Sequence, residues 1–466
     1  MTSPEQADPG PRDAHPTAGD VIPLRQATRA WFSISLQTFG GPAGQIAVMQ
    51  HKLVDELRWI GQQRFLHALN YCMLLPGPEA QQLAIYTGWL LNGTRGGLIA
   101  GGLFVLPGVI ALGVLSALYV GFGETDVVSA LFAGVAPAVI AIVVQAVHRV
   151  SRRALTHPAL LALAIGAFVA LTFFAVPFPV VVLGAGVLGW LLRGRLPDPA
   201  ATSGHGRTPD AAAPLISDDL LHHELPGRRR SVGIVVLGLV LWFGPVAAFA
   251  ALVDSTSVFV DQGLFFSGAA VVTFGGAYAV LAYVAQQAVE VHGWLAPGEM
   301  VRGLALAETT PGPLIMVVQF VAFVGAHRNP GSLDPWVAAV LASLLVTWVT
   351  FVPCFLFVFL GAPYVERLRG NRALSAALAG ITAAVVGVIA NLALFFALHT
   401  LFDLTEPVRL GPLRLDVPVL SSWDPVAFGI TGVALGVMYG RGWSPLRTLG
   451  LCAALGLLVL GARTVL

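Results

Sequence analysis

The sequence predicts an all-α polytopic membrane protein with about 13 transmembrane helices, arranged in two inverted homologous halves with broken helices. The composition, the length of the apolar runs and an internal repeat support this prediction. Hydrophobic residues make up 56% of the chain and charged residues only 11%, against about 25% charged in ordinary soluble domains. We therefore do not expect a water-soluble fold.

Long apolar runs define the predicted spans. Runs of roughly 18 residues or more, which cross about 30 Å of hydrocarbon as a helix, recur along nearly the whole chain after residue 27. No period-two pattern of a β-barrel is present, so we expect spanning helices. The predicted spans cover residues 28–50, 65–92, 96–120, 127–148, 157–175, 177–193, 232–253, 263–285, 300–326, 336–361, 373–400, 424–440 and 444–463.

The chain is predicted to divide into five regions. Residues 1–27 are expected to be a disordered cytoplasmic tail, because no positively charged segment leads there into a short apolar core, as in a cleaved signal. Residues 28–193 and 263–466 form two homologous repeats. Between them, residues 194–231 have the composition of a flexible cytoplasmic linker, and residues 232–262 supply an extra connecting helix.

Loop charges orient the stack of helices. Basic loops favour the cytoplasm, and the arginines cluster after span four, in the linker and after span ten, at Arg149, Arg152, Arg153, Arg228, Arg229, Arg230, Arg367, Arg369 and Arg372. Acidic residues fit the outer side, at Glu124, Asp126, Asp254, Asp261, Asp403 and Glu406. The chain is thus predicted to be a multi-pass protein of the plasma membrane with a cytoplasmic N-terminus.

One loop disagrees with this orientation. Lys52, Arg58 and Arg64 fall between the first two spans, which the count places outside. Residues 28–50 and 65–92 therefore either cross the membrane fully or are re-entrant, and both alternatives stay open at this point.

A repeated pattern relates the two halves. Thr38–Gly41 matches Thr273–Gly276, Trp59 matches Trp294 and Pro76–Pro78 matches Pro311–Pro313 at an offset of 235 (273 minus 38), and Pro107 matches Pro353 at an offset of 246 (353 minus 107). If every intervening segment crosses fully, an odd number of crossings separates the repeats, so the halves are inverted. Inverted repeats that meet at a midplane site are a recurrent plan of secondary transporters.

Both halves interrupt apolar helices at the same two places. Proline removes a backbone donor and glycine frees the dihedral angles, so helices bend or unwind there. Free amides at a half-helix N-terminus would offer an anion site, whereas the simpler interpretation is kinking and close packing. The candidate substrate-binding residues at these breaks are Gly40, Gly41, Pro76, Gly77, Pro78, Gly275, Gly276, Pro311, Gly312 and Pro313.

Ionisable and amide side chains beside the breaks extend the candidate site, because charges at membrane depth are costly and usually functional. Glu79 follows Pro78, and Gln81 and Gln82 could donate hydrogen bonds to an oxyanion. Glu308 lies in an apolar run, where burial disfavours the charged form of a carboxyl group, and is the candidate for proton coupling. Glu290 and Glu299 are instead expected in a polar loop.

Basic residues of the first half complete the candidate set. Lys52, Arg58 and Arg64 would raise the local concentration of a dianion at the mouth of a cavity. Ordinary interfacial anchoring is the alternative interpretation. At equivalent positions the second half carries Gln287, Gly293 and Glu299.

Other function classes lack support. A net charge of +1 favours no nucleic-acid partner, and no Walker motif or nucleophile elbow is present. Cys72, Cys354 and Cys452 lie far apart without metal-ligand spacing. His222 and His223 have no partner ligands spaced around them. No cofactor, metal or catalytic residue is therefore predicted.

The first half resembles the chromate ion transporter family in its long two-domain form. The resemblance rests on Thr38–Pro42, Leu75–Ala84, Tyr86–Gly88 and Leu106–Gly108, and in the second half on Phe274–Gly276 and Thr310–Pro313. It implies export of chromate, with sulfate as a similar natural oxyanion, driven by the proton motive force. The second half departs from the pattern, because Leu314 stands where Glu79 stands in the first.

Three functions stay open from the sequence. The first is a secondary transporter that exports chromate or a similar tetrahedral oxyanion and confers chromate resistance, with the proton as coupling ion. The second is a transporter that takes up sulfate or another oxyanion, and the third is a membrane-embedded enzyme. The lipid bilayer is the expected environment, and a homodimer is one arrangement compatible with the sequence.

The predicted topology is testable by labelling. Glu124 and Arg369 lie in loops that are equivalent in the two repeats, yet inversion places the first outside and the second inside. Glu124→Cys and Arg369→Cys, each probed with an impermeant thiol reagent in intact cells, should therefore label oppositely. Labelling of both positions from the same side would contradict inverted halves.

Overall fold

A computed structural model describes residues 21–196, 227–254, 256–274, 277–296, 298–361 and 371–465. Its helices are α1 Leu24–Ser35, α2 Gly41–Gln50, α3 Gln62–Cys72, α4 Glu79–Phe122, α5 Asp126–Ala154, α6 Pro158–Phe174, α7 Phe178–Leu191, α8 Arg228–Leu252, α9 Val258–Val272, α10 Ala277–Gln286, α11 Glu299–Thr309, α12 Val317–Arg328, α13 Pro335–Gly361, α14 Arg372–Leu401, α15 Pro425–Leu435 and α16 Pro445–Val465. Most of the predicted tail and linker, together with His222, His223, Gly275, Gly276, Arg367 and Arg369, lies outside the described residues.

The predicted all-α membrane fold is confirmed. Six helices among the described ranges are long and apolar enough to cross a membrane, namely Glu79–Phe122, Asp126–Ala154, Arg229–Leu252, Pro335–Gly361, Arg372–Leu401 and Pro445–Ala462. Shorter apolar helices accompany them. The chain is therefore a multi-pass membrane protein, while the count of thirteen crossings stays a prediction.

The four predicted interruptions are present. Helix α1 ends at Ser35 and α2 begins at Gly41, with Gly40 in the left-handed region at φ +80°. Helices α9 and α10 are separated at the equivalent place. Helix α3 ends before Pro76 and α4 begins after Pro78, and α11 and α12 are separated around Pro311–Pro313 by a short 3-10 turn, Leu314–Met316.

Equivalent local distortions follow in both repeats. A π-helical turn continues α2 over His51–Glu56, and another continues α10 over Gln287–Val291. The backbone then adopts a positive φ at Arg58, 52°, and at its equivalent Gly293, 62°. Glycine accepts this conformation readily, whereas arginine is strained in it, so the first repeat keeps the backbone shape at an energetic cost.

Helix α4 is a hairpin of two helical parts. The dihedral angles are non-helical at Asn92 and Gly93. A Cβ at Gly88 would lie 2.6 Å from the carbonyl oxygen of Gly96, so the parts before and after the bend pack closely side by side. The predicted spans 65–92 and 96–120 correspond to the two sides of this bend.

The terminal helix pair of each repeat packs on the other repeat. Helices α15 and α16 pack against α5, while α6 and α7 pack against α14. A Cβ at Gly134 would lie 2.1 Å from the carbonyl oxygen of Cys452, and a Cβ at Gly380 would lie 2.4 Å from that of Ala185. Gly134 and Gly380 are equivalent positions of the repeat, so these contacts are reciprocal.

The equivalent helices α4 and α13 run antiparallel where they touch. Gly97 lies against Phe359, Gly101 against Phe355 and Gly121 against Trp336. The residue numbers therefore increase along α4 while those of the contacting residues decrease along α13. This order is the one expected if the two repeats are inverted, and the inversion stays a prediction.

A β-hairpin interrupts the helical chain after α14. Strand β1, Thr405–Leu410, pairs antiparallel with β2, Leu413–Pro418. Gly411 has φ +63° in the turn between them, a conformation typical of tight hairpins. The hairpin lies in the loop between two predicted spans, where the hydropathy pattern contains no signal for it.

The reciprocal glycine contacts predict a stability difference. Gly134→Val should destabilise the protein by at least ~1–3 kcal/mol, because the new side chain meets backbone that cannot move aside. Gly166→Val is the matched control, since a Cβ at the exposed Gly166 of α6 meets no atom within 4 Å. Abundance in membranes and melting of the purified proteins measure the effect; equal stability of both variants would contradict the packing.

Candidate functional site

Two reciprocal hydrogen bonds join the breaks of one repeat to those of the other. The Gly77 N–H donates to the carbonyl oxygen of Thr273 at 2.8 Å, and the Gly312 N–H donates to that of Thr38 at 3.0 Å. Gly77 and Gly312 are equivalent positions, as are Thr38 and Thr273. These two amides are therefore already paired, so an anion at the breaks would have to use other backbone amides, such as those at a half-helix N-terminus.

A second reciprocal pair holds the Pro-Gly-Pro segments in place. A Cβ at Gly77 would lie 2.9 Å from Sγ of Cys354, and a Cβ at Gly108 would lie 2.8 Å from the carbonyl oxygen of Pro311. Gly108 and Cys354 are equivalent at the offset of 246. Both glycines of the Pro-Gly-Pro segments also have positive φ, 116° at Gly77 and 107° at Gly312, so close approach and backbone conformation both favour glycine.

The four breaks form one cluster. A Cβ at Gly41 would lie 4.0 Å from the hydroxyl oxygen of Tyr278, which links the first break of each repeat. Together with the two hydrogen bonds above, this contact connects all four interruptions. We call residues 38–41, 76–78, 273–274 and 311–313 the break cluster.

A tyrosine and a glutamate lie beside the break cluster. The Tyr278 hydroxyl donates to Oε1 of Glu308 at 2.5 Å. Glu308 is only 2% exposed, and its other oxygen, Oε2, has no hydrogen-bond partner among the described residues. Helix α11, which carries Glu308, packs against α5, which carries Arg149. Such a carboxyl group can accept a proton or share one with a ligand.

Three buried glutamines surround the breaks. Gln82 Nε2 donates to the carbonyl oxygen of Pro76 at 2.6 Å, and Gln45 Nε2 donates to that of Gly312 at 2.5 Å. These two amides stabilise the Pro-Gly-Pro segments. Gln81 is fully buried, yet neither polar atom of its side chain has a hydrogen-bond partner within the described part of the chain, so it is the amide best suited to meet a ligand.

The helix N-termini at the breaks differ in charge. Glu79 lies in the first turn of α4, so its carboxyl group occupies the position that an anion would take at this helix N-terminus. The first turn of α2 has no acidic residue and no side-chain cap. Beside it, a Cβ at Gly40 would meet no atom within 4 Å. Open space and an uncapped N-terminus thus coincide at Gly40 and Gly41.

The three basic candidates of the first half lie away from the break cluster. Lys52 forms an ion pair with Glu56 beyond the end of α2, about 15 Å from Gly41 along a ten-residue helix. Arg58 is exposed and Arg64 is half-buried at the start of α3. Their positions suit a cavity mouth better than direct contact with a bound ion.

Glu299 does not lie in a polar loop as expected. It begins α11 and is 7% exposed, because Arg328 donates to both of its oxygens at 2.6 and 2.9 Å. The Tyr119 hydroxyl donates to it as well, at 2.7 Å. This ion pair, in which Glu299 is buried and Arg328 is exposed, joins the start of α11 to the end of α12.

No metal centre is evident in the described segments. Within them, no three His, Cys, Asp or Glu side chains come together as metal ligands would. The polar groups of the break cluster are instead amides, hydroxyls and single carboxyl groups. These groups can bind and orient an oxyanion or exchange a proton.

Sequence reasoning missed Tyr278, Gln45 and the carbonyl groups of Thr38 and Thr273. Gln45 could have been found as a lone amide in the apolar α2. Tyr278 follows the second-half glycines closely in sequence, but its pairing with Glu308 depends on two helices folding back. The carbonyl groups carry no side-chain signal at all.

Comparisons with known proteins agree with one another. The chromate transporter family matches residues 25–190 and 260–457. A chromate transport protein of Pseudomonas aeruginosa is 31% identical over 77% of this chain and 77% of its own length. A probable chromate transport protein of Synechococcus elongatus is 27% identical over 90% and 96%, and a chromate transport protein of Cupriavidus metallidurans is 27% identical over 87% and 90%. No solved structure matches the chain.

The open space at Gly40 predicts separate effects on flux and folding. Alanine and leucine at this position share the same backbone strain, roughly 1–2 kcal/mol for a positive φ, and differ only in side-chain volume. Gly40→Leu should therefore abolish solute flux while its abundance in membranes stays near that of Gly40→Ala. Because Gly275 is equivalent to Gly40 in the second repeat, Gly275→Leu is expected to have the same effect on flux. Loss of protein in proportion to activity would favour a packing role for the glycine.

Proposed function

This chain belongs to the chromate transporter family, and on that premise we propose that it exports chromate, or a similar tetrahedral oxyanion, across the plasma membrane and thereby confers chromate resistance. The convergence of four helix breaks from two related halves carries this proposal. Broken helices that meet between repeats are where secondary transporters bind solutes.

The proposed binding site uses neutral donors rather than fixed charges. Free amides of the first turn of α2, at Gly40 and Gly41, provide partial positive charge. Gln81 adds a buried side-chain amide that has no hydrogen-bond partner among the described residues. Because chromate and sulfate are both tetrahedral dianions, this set of donors suits either. Neutral ligands also allow release, since a dianion buried against several fixed cations would be held too tightly to leave.

Contacts in the second repeat support re-entrant hairpins. Glu299 at the start of α11 is paired with Arg328 at the end of α12. The start of α11 and the end of α12 therefore lie on the same side of the membrane. Gln262 of α9 and Trp294, which follows α10, both lie against Gly325, so that pair also returns to its starting side. We therefore assign α9–α10 and α11–α12 as two hairpins that enter from the outer side.

The equivalent hairpins of the first repeat then enter from the cytoplasm. The backbone N–H of Val21, just before α1, donates to the carbonyl oxygen of Leu91 at 3.1 Å, which brings the start of α1 to the bend of α4. In this arrangement Lys52, Arg58 and Arg64 lie on the cytoplasmic side. The basic loop that contradicted thirteen full crossings thus agrees with the other basic loops, and the N-terminus is cytoplasmic.

The two halves remain inverted in this topology. Five full crossings separate the two sets of hairpins, namely those of the second part of α4, α5, α6, α7 and α8. Because five is an odd number, the second set enters from the opposite side of the membrane. The antiparallel contact of α4 with α13 supports the same inversion. Rocking of one half against the other would then expose the break cluster to either side in turn.

The charge of the substrate favours export. An inside-negative membrane potential drives a dianion outward by about 4.6 kcal/mol per 100 mV, twice the value for one charge. Uptake of sulfate, the alternative function, would have to overcome the same electrical free energy, and this requires several protons to be carried inward with the anion. Glu308 with its partner Tyr278 is the proposed site of proton coupling, because it is buried next to the break cluster.

Glu308→Gln tests the proposed coupling. The amide keeps a hydrogen bond with Tyr278 but cannot bind a proton, so chromate flux in everted vesicles should lose its dependence on the pH gradient. Exchange of labelled for unlabelled chromate should largely remain. Glu406→Gln, which alters an exposed glutamate of β1, is the matched control. Uphill transport by Glu308→Gln with unchanged pH dependence would show that the proton binds elsewhere.

A further inference from the structure

A basic cavity lies at the C-terminal end of α5. It has a volume of about 380 Å³ and is lined by Gln145, His148, Arg149, Arg152, Arg153, Met438 and Tyr439. The last two residues belong to a π-helical turn that continues α15 over Gly436–Gly440. Two helices from different repeats therefore build the cavity.

Within the described part of the chain, none of the three arginines of this cavity forms an ion pair with a carboxylate. Arg149 donates to Oε1 of Gln145, at 3.1 Å. His148 packs edge-on against Tyr439, with 6.0 Å between ring centres, which forms one wall. Three guanidinium groups thus face a cavity with donors still available for an anion.

The helix that carries the arginines of the cavity also packs beside the break cluster. Helix α11, which carries Glu308, packs against α5, which carries Arg149. Thr431 of α15 donates to the carbonyl oxygen of Pro137 of α5 at 3.5 Å, so the two helices run side by side from the cavity into the membrane. An anion that enters between these helices would approach Glu308 from the cytoplasmic side.

The second repeat has no equivalent cluster of arginines. At the offset of 246, the positions equivalent to His148, Arg149, Arg152 and Arg153 are Leu394, Phe395, Leu398 and His399. Positive residues at the last turn of a cytoplasmic helix are expected in any membrane protein from dipole and topology effects. Those effects do not require a cavity that α5 shares with the end of α15.

We propose that Arg149, Arg152 and Arg153, with His148 and Tyr439, form a cytoplasmic binding site that captures the tetrahedral dianion before it passes to the break cluster. This inference rests on the proposed export function, because only export loads substrate from the cytoplasm. Attraction by three cations raises the local dianion concentration. Because the site is open to water, binding stays weak enough for onward transfer.

Kinetics in everted vesicles test this site. Arg149→Gln and Arg152→Gln should each raise the half-saturating chromate concentration about fivefold at low salt, as loss of one positive charge near a dianion in water implies. The maximal rate should stay near the wild-type value, and Arg149→Lys should restore most of the affinity. Arg193→Gln, which removes an exposed charge beside Trp190, should change neither quantity.

Other outcomes distinguish the alternatives. An unchanged half-saturating concentration in both variants would overturn the proposed site. A shift that occurs in proteoliposomes with anionic lipid, but not in phosphatidylcholine alone, would assign the arginines to a lipid headgroup and would also overturn it. Salt should weaken the wild-type affinity more than that of Arg149→Gln.

A binding measurement separates this site from the export proposal. Sulfate should stabilise the purified wild-type protein against heat, and the double variant Arg149→Gln with Arg152→Gln should be stabilised less at the same sulfate concentration, because only the break cluster then binds the anion. If wild-type vesicles accumulate no chromate, the export proposal fails, while sulfate stabilisation still decides whether the cavity binds a dianion. If vesicles do transport and neither variant differs, only the cavity proposal fails.

Discussion

The two hydrogen bonds between repeats, from Gly77 to Thr273 and from Gly312 to Thr38, are the constraint on which the rest of the architecture depends. A chain that breaks its helices at membrane depth leaves backbone groups without partners, and each unpaired buried group costs about 1–3 kcal/mol. Each repeat here supplies the acceptor that the other repeat lacks. Neither half can therefore satisfy its own breaks alone, and the break cluster exists only when both are folded together.

Close packing follows from this constraint. The backbone must approach within hydrogen-bond distance at both Pro-Gly-Pro segments, so residues that face them have to be small, as at Gly108, or compact, as at Cys354. The helix pairs further along the chain repeat the same reciprocity at Gly134 and Gly380. The scaffold is thus nearly two-fold in its backbone contacts, which suits a protein that must present one site to either side of the membrane.

The side chains break the symmetry that the backbone keeps. Tyr278 and Glu308 have Ala43 and Met73 as their equivalents in the first half. The basic cavity at the end of α5 likewise has apolar residues at most equivalent positions of α14. A symmetric scaffold allows the two orientations to interconvert, whereas asymmetric charges make the two sides chemically different. The two repeats therefore share one backbone scaffold but differ in the ionisable groups that they carry.

The sequence by itself determined the membrane class, the family, the repeat and the four places where helices break, because hydropathy, proline and glycine are local properties. It could not determine that the Gly77 and Gly312 N–H groups donate hydrogen bonds to the other repeat. Nor could it determine that Glu299 is buried against Arg328, or that Tyr278 donates a hydrogen bond to Glu308. Those pairings join residues far apart in the chain and depend on how the broken segments fold back. The hydropathy pattern did not indicate the β-hairpin after α14 either. Only the tertiary structure decided which polar groups are already paired and which, such as the Gln81 side chain and Oε2 of Glu308, have no hydrogen-bond partner among the described residues.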